Sequence, residues 1–346
     1  MTSNNRQWLL RRRPKGLLRL DDLELTTGDA DVRPLKDGEV RVRNLLFHCA
    51  PAMRSWMAEP SSRFSPRTVL LGAPVDAIAA SRVVESCDPR YPVGARIVSI
   101  GSWSEYDIID TAHSAAQIIP EGTTAIEAVG MFGSNSLTAY FGLIEIGQPR
   151  SGETLVVSGA AGSTGSVAAQ IGRIKGCRVI GIAGSRQKCA WLVEECGLDA
   201  AIDYRSEDVN AALERHCPDG IDIFYDNVGG PILQAAVDHM AKFGRIVLCG
   251  QISGYNESGP VPAFANMMAL IYGSIRMQGF TIADYFDQVP KALADLIPWI
   301  RSGAIVTRVD VRPGFENLPS SFNALFDGSN QGTLLGVIDE DAHARA

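Results

Sequence analysis

The run Leu155-Val156-Val157 leads straight into Ser158-Gly159-Ala160-Ala161-Gly162-Ser163-Thr164-Gly165, and an amphipathic stretch opens at Ser166-Val167. Three glycines between an apolar strand and a helix leave the segment few options. Glycine lets the backbone turn tightly, lets it approach a pyrophosphate closely and lets the helix pack on the strand, while the unpaired N–H groups of the first helical turn face an anion. A glycine triplet alone can be only a tight turn. With a strand before it, a helix after it and a further strand at the right distance, it predicts a dinucleotide site. The expected cofactor contacts here are Gly159, Ala161, Gly162, Ser163, Thr164 and Gly165.

A site for NAD usually carries Asp or Glu about 20 residues past the turn, where it accepts a hydrogen bond from the adenosine ribose. Here that place reads Gly184-Ser185-Arg186-Gln187-Lys188, with no acid and two cations. Such a pair suits a 2′-phosphate better than a hydroxyl. Asp203-Tyr204-Arg205, after the next strand, offers a phenol and a guanidinium to the same phosphate. A solvated helix start with ordinary surface charges is the plainer alternative. NADPH rather than NADH is the expected cofactor.

With 346 residues the chain exceeds one typical core and can build two. From about residue 17 to 120 short strands alternate with turns: Glu39 to Leu46, Arg82 to Glu85 and Ala95 to Ile100. This predicts a barrel-like β domain. After about residue 125 apolar strands alternate with helical stretches, the pattern of βαβ units and a parallel sheet. Strands are expected at 154–158, 178–182, 201–202, 221–225 and 244–249, and helices at 166–175, 187–196, 231–240 and 290–301. The segment from Thr307 to Ile338 returns to strand and loop character. The expected division is therefore 1–128 with 305–346 as a substrate domain, and 129–304 as the nucleotide domain.

The formal charge of -7 opposes nucleic-acid binding, and Arg11-Arg12-Arg13-Pro14-Lys15 reads as an exposed stretch near the N-terminus. No window approaches about 18 consecutive apolar residues, and the first residues carry no leader pattern, so a cytoplasmic protein without a membrane span is expected. The seven cysteines are scattered and include no C-x-x-C pair, which argues against a disulfide framework or zinc ribbon. His48-Cys49 is an adjacent pair of soft ligands. On a strand such neighbours point to opposite faces, so no metal is expected there.

Leu137-Thr-Ala-Tyr-Phe-Gly142, the glycine turn, Asp226-Asn-Val-Gly-Gly230, Gly244-Arg-Ile, Cys249-Gly-Gln-Ile-Ser-Gly-Tyr-Asn256 and Arg276-Met-Gln-Gly-Phe280 occur together. In these blocks the chain resembles the medium-chain dehydrogenase/reductase superfamily, and within it the zinc-independent prostaglandin reductase and leukotriene B4 12-hydroxydehydrogenase branch. The resemblance implies an α/β protein with a GroES-like barrel and an inserted Rossmann domain. It implies that Gly162 to Ser166 hold the pyrophosphate and that Ser185, Lys188 and Tyr204 hold the 2′-phosphate. Asn227 and Cys249 would lie near the nicotinamide, and Asn330 would close the site from the C-terminal segment. Tyr255 would hydrogen-bond the nicotinamide ribose and the reacting oxygen, which makes it the expected catalytic residue. Asn227 as a plain turn residue and Cys249 as a plain buried strand residue stay open. Relatives commonly form homodimers through sheet edges of the nucleotide domain, for which Ile271 to Phe280 is the candidate strand.

The substrate side departs from the family. Ala50-Pro-Ala52-Met-Arg54 stands where relatives carry Asp-Pro-Tyr-Met-Arg, Asp76 to Ala80 stands in place of an Arg-Gly-Gly loop, and Gly133-Ser-Asn135-Ser136 replaces Gly-Met-Pro-Gly. Gly332-Thr333 replaces a final Gly-Lys. The expected pocket is thus His48, Ala50, Ala52, Asp76, Asn135 and Tyr255, smaller and more apolar than in relatives, which favours an apolar or aromatic small molecule. The resemblance implies NADPH-dependent reduction of the carbon–carbon double bond of an alkenal or enone. Two alternatives remain: an oxygenase resembling trans-anethole oxygenase, which cleaves the propenyl double bond of phenylpropenes, and an NADPH-binding protein without turnover.

Overall fold

The computed structural model describes residues 4–29, 33–59, 67–257 and 267–346. In chain order the strands are β1 Asn4–Leu10, β2 Leu23–Asp29, β3 Glu39–Cys49, β4 Asp76–Ser86, β5 Arg96–Ser102, β6 Tyr106–Asp110, β7 Gln117–Ile118, β8 Thr154–Ser158, β9 Arg178–Ala183, β10 Ala200–Asp203, β11 Ile221–Asp226, β12 Met240–Leu248, β13 Arg276–Gly279, β14 Val309–Pro313 and β15 Thr333–Val337. The α-helices are α1 Met53–Trp56, α2 Ala125–Gly130, α3 Ser134–Phe141, α4 Ser163–Ile174, α5 Arg186–Glu194, α6 Val209–His216, α7 Gly230–Asp238, α8 Met268–Tyr272, α9 Val289–Arg301 and α10 Leu318–Asp327. None of them is long and apolar enough to cross a membrane.

One unit comprises residues 1–131 and 309–346. Its first long strand shows why it forms: Val40 and Val42 are fully buried on one face of β3 while Arg41 and Arg43 point away, the period of a half-covered strand. From Leu45 to Cys49 every residue is buried, so both faces of the strand are covered at that end. A seven-stranded sheet runs β14-β15-β3-β4-β5-β7, with β6 also pairing β3, and β1 and β2 form a separate hairpin. The late strand β15 lies antiparallel to β3 with Leu335 opposite His48.

The other unit, residues 132–308, is a parallel sheet in the order β10-β9-β8-β11-β12-β13. Alternation again sorts the side chains. Leu155, Val157, Ile223 and Tyr225 enter the core on one face, and Val156, Phe224 and Ile246 enter the core on the other. The chain lays strands outward from β8 in one direction and from β11 in the opposite one. Between β8 and β11 the winding reverses, and open α/β sheets bind ligands outside the carboxyl ends of the strands at such a point.

Three local expectations are corrected. Asp76 to Ala80 is the start of strand β4 rather than a loop, and Ala77, Ala79 and Ala80 are fully buried, because β3 and β5 hydrogen-bond to this segment from both sides. Those alanines are core, not pocket surface. Ile271 and Tyr272 belong to helix α8, so the edge strand begins only at Arg276. Helix α4 begins at Ser163, three residues earlier than its apolar pattern suggests, because Gly162 serves as its extended N-cap.

Candidate cofactor and active site

The glycine turn sits at the carboxyl end of β8. Gly159 has φ +57°, a left-handed conformation that glycine adopts without strain, and its carbonyl accepts from the Gly162 amide at 2.9 Å. A Cβ at Gly165 would overlap that same carbonyl oxygen, so the helix packs on the turn only because Gly165 has none. No side chain caps α4. Its first amides, from Ser163, Thr164 and Gly165, are left for an anion, which is the fit a dinucleotide pyrophosphate requires. Ala161 is buried beneath the turn. Asn135, expected in the substrate pocket, donates its carboxamide to the Ser163 hydroxyl at 2.5 Å.

Across the switch point the end of β11 is tied to the end of β8. The Ser158 hydroxyl donates to Asp226 at 2.6 Å and accepts from the Asn227 amide at 2.9 Å. The Asn227 carboxamide donates to the Ser158 carbonyl at 2.7 Å. Asp226 also accepts from the Val228 and Gly229 amides at 3.0 and 3.1 Å. Burial still raises the Asp226 pKa, against the lowering effect of these hydrogen bonds. Sequence reasoning passed over Ser158 and Asp226. Each stands at the carboxyl end of its strand, where a polar residue directly after an apolar run is the signal that could have marked them.

Asn227, Cys249 and Tyr255 meet around the same edge. The Cys249 and Gly250 amides both donate to the Asp226 carbonyl, at 2.9 and 3.0 Å. A Cβ at Gly250 would touch the Asn227 carbonyl at 3.3 Å and the Tyr255 hydroxyl at 3.5 Å, and one at Gly159 would touch the Asn227 side chain at 3.4 Å. Gly159, Asn227, Gly250 and Tyr255 therefore line up from the turn outward. The Tyr255 hydroxyl accepts from the Gln251 amide at 3.3 Å, and burial raises its pKa. Cys249 is held against Tyr225, and burial pushes its thiol up to about 12, so it remains a neutral thiol rather than a nucleophile.

At the end of β9 a Cβ on Gly184 would lie 2.9 Å from the Tyr204 ring, so the phenol rests flat on the glycine backbone. Tyr204 is 42% exposed, with the Arg205 guanidinium 5.9 Å from its ring centroid. Ser185 is the N-cap of α5 and accepts from the Lys188 amide at 3.2 Å. Ser185, Lys188 and Tyr204 thus gather around the β9 and β10 ends, with Gly184 as the residue whose role was not foreseen.

The remaining expected residues belong to the other unit. His48 is 2% exposed on β3, opposite Ile78 of β4, and burial pulls its pKa down to about 4, so the imidazole is neutral. Ala52 precedes the short helix α1, and Ala50 accepts from the Met53 amide. Arg54, in the same segment, is buried and donates to the Pro14 and Gly16 carbonyls at 2.8 and 3.2 Å, which gives it a structural role. Asp76 pairs with Arg67 at 2.9 Å. The Asn330 carboxamide donates to the Gly332 carbonyl at 3.1 Å.

Two family descriptions match the chain: the N-terminal domain of oxidoreductase over residues 6–117 and zinc-binding dehydrogenase over residues 163–299. The chain is 34% identical to the NADP(+)-dependent 2-alkenal reductase of Nicotiana tabacum, covering 98% of each chain. It is 35% identical to the NADPH-dependent curcumin reductase of Escherichia coli, covering 96% of each. Among solved structures, CurA of Vibrio vulnificus in complex with NADPH superposes with a TM-score of 0.89 at 33% identity, over 97% of this chain and 99% of that one.

Zinc does not fit the donor set. Among the described residues no group of three or more His, Cys, Asp or Glu side chains converges. His48 and Cys49 are neighbours on β3, so their side chains point to opposite faces of the strand. Sequence, fold and relatives agree: the chain belongs to the medium-chain dehydrogenase/reductase superfamily, in its zinc-independent branch of prostaglandin and alkenal reductases.

Proposed function

We propose that this protein is an NADPH-dependent reductase that delivers hydride to the β-carbon of an α,β-unsaturated carbonyl compound, without zinc. The observation that carries the reading is the line from Gly159 through Asn227 and Gly250 to the Tyr255 hydroxyl, at the carboxyl ends of β8 and β11. The alkenal and curcumin reductases among its relatives support it. Residues 159–165 hold the pyrophosphate, and Ser185, Lys188 and Tyr204 surround the 2′-phosphate. When bound, NADPH supplies the hydride and the reducing electrons.

The protein's own part is positioning and charge stabilisation. Tyr255 receives a hydrogen bond from the Gln251 amide, which leaves its own proton to donate toward the substrate oxygen as negative charge develops there. Its raised pKa keeps that proton in place at neutral pH. Asn227, fixed by Ser158, orients the nicotinamide end. Ala50 and Ala52 stand where relatives carry a carboxylate and a phenol, which favours an apolar or aromatic acceptor.

The test is anaerobic incubation with NADPH and a panel of enals, enones and propenylbenzenes, with product analysis, and a parallel aerobic arm that follows oxygen uptake. Loss of NADPH matched by a saturated carbonyl product supports the reductase. Oxygen uptake with aldehyde formation and no stoichiometric NADPH loss overturns it.

The same proposal includes a homodimer. Strand β13 is the outer strand of its sheet, and α8 beside it exposes Met268, Ile271 and Tyr272 at 46%, 64% and 76%. An open edge next to an apolar patch favours pairing with a second copy. Sedimentation at the mass of a monomer across micromolar concentrations would contradict it.

A further inference from the structure

We infer that Asn135 is a cofactor-positioning residue: by donating to the Ser163 hydroxyl it fixes that hydroxyl as a hydrogen-bond donor to the pyrophosphate. The inference rests on reading residues 159–165 as the pyrophosphate turn, and it goes beyond that reading by assigning a residue outside the turn to it.

The contact joins the first turns of two helices, Asn135 of α3 and Ser163 of α4, at 2.5 Å. A serine hydroxyl has one hydrogen and two lone pairs. Once a lone pair is engaged by the carboxamide N–H, the hydrogen is free to point elsewhere, and beside an uncapped helix start the anion is its natural acceptor. The reverse orientation of the carboxamide would consume the serine hydrogen and turn lone pairs toward phosphate oxygens. A bound anion therefore selects the donating orientation.

Asn135 is well placed to impose this. It rides on a helix whose residues Ser136, Leu137, Ala139, Tyr140 and Phe141 are buried, so its backbone is held by packing. The replaced segment 133–136 also gains meaning. Its asparagine supplies a polar contact to the cofactor turn.

The experiment is calorimetric titration of NADP+ and of 2′-AMP, a fragment without the pyrophosphate, into wild type, Asn135→Ala, Asn135→Asp, Ser163→Ala and the double alanine variant. Asn135→Ala and Ser163→Ala should each weaken NADP+ about fivefold, the worth of one hydrogen bond. The double variant should be within about twofold of Ser163→Ala, because both changes remove one device. Asn135→Asp, which can only accept and adds a negative charge, should lose more than tenfold. Affinity for 2′-AMP should stay unchanged throughout, which a general loss of structure would not allow. Normal NADP+ binding by Asn135→Asp, fully additive losses in the double variant, or an equal loss of 2′-AMP would each overturn the inference alone. Wild-type protein that binds neither ligand would overturn the cofactor reading, and this inference with it.

Discussion

The Ser158 hydroxyl donates to the Asp226 carboxylate at 2.6 Å, joining the carboxyl ends of β8 and β11 across the point where the winding of the sheet reverses. Asp226 is 1% exposed and also accepts from the Val228 and Gly229 amides. Replacing it by alanine strands three donors in the interior, at about 1–3 kcal/mol each. Asp226→Ala should therefore lower the unfolding free energy by about 3 kcal/mol or more in urea titrations. A change below about 1 kcal/mol would mean that the network is not what holds this junction.

His48 and Asp107 should give the protein opposing pH dependences. Burial holds His48 at about 4 in the folded state against 6.5 in the unfolded chain. The unfolded state then binds more protons between those values, so this contribution is lost as pH falls from about 6.5 to 4. Asp107 is pushed by burial from 3.8 to about 6, although a hydrogen bond from Ser102 works the other way. Here the folded state binds more protons, so stability falls as pH rises from about 4 to 6. Relative to wild type, His48→Gln should gain stability as pH falls from about 6.5 toward 4.5, and Asp107→Asn should gain as pH rises over the same range. Urea unfolding at several pH values checks both, and parallel curves for wild type and variant would refute the assignment concerned.

Recognition of the 2′-phosphate should depend on Lys188 and on the bare backbone of Gly184. Lys188→Ala removes a charge-assisted contact worth about 1.5–3 kcal/mol. A methyl group at Gly184 would displace the Tyr204 ring, which now lies within 2.9 Å of that position. Both variants should weaken NADP+ at least about tenfold and leave NAD+ nearly unchanged. An unaltered ratio between the two cofactors would place the 2′-phosphate elsewhere.

Tyr255→Phe should lower kcat about 100-fold, the scale of removing one donor from a developing oxyanion, with KM for NADPH within about twofold of wild type. Unchanged turnover would remove the tyrosine from the chemistry.

Much of the nucleotide unit was legible because its signals are local. Thr154–Ser158 is an apolar run stopped by glycine, and Gln187 to Cys196 is one residue out of register with α5 at its start. What was missed depended on distant partners. Asp76 to Ala80 carries little β-branched character, and only pairing with β3 and β5 makes it a strand. Met268 to Tyr272 is a short apolar run, which periodicity alone cannot divide between helix and strand. Asp226 acquires its role from Ser158, 68 residues earlier, and Asn135 from Ser163, 28 residues later. Neither pairing has a sequence signature. The glycine turn announced a phosphate, but the residues that brace it came from the fold.

Hydride transfer to a β-carbon is read out by where an isotope lands in the product. Purified protein is incubated anaerobically with NADPH carrying deuterium at both C4 positions of the nicotinamide and an aromatic enone, and the product is read by NMR and mass spectrometry. The product should carry one deuterium at the β-carbon, a solvent proton at the α-carbon and an intact carbonyl. Deuterium at the carbonyl carbon, or consumption of the enone with none transferred, would contradict it.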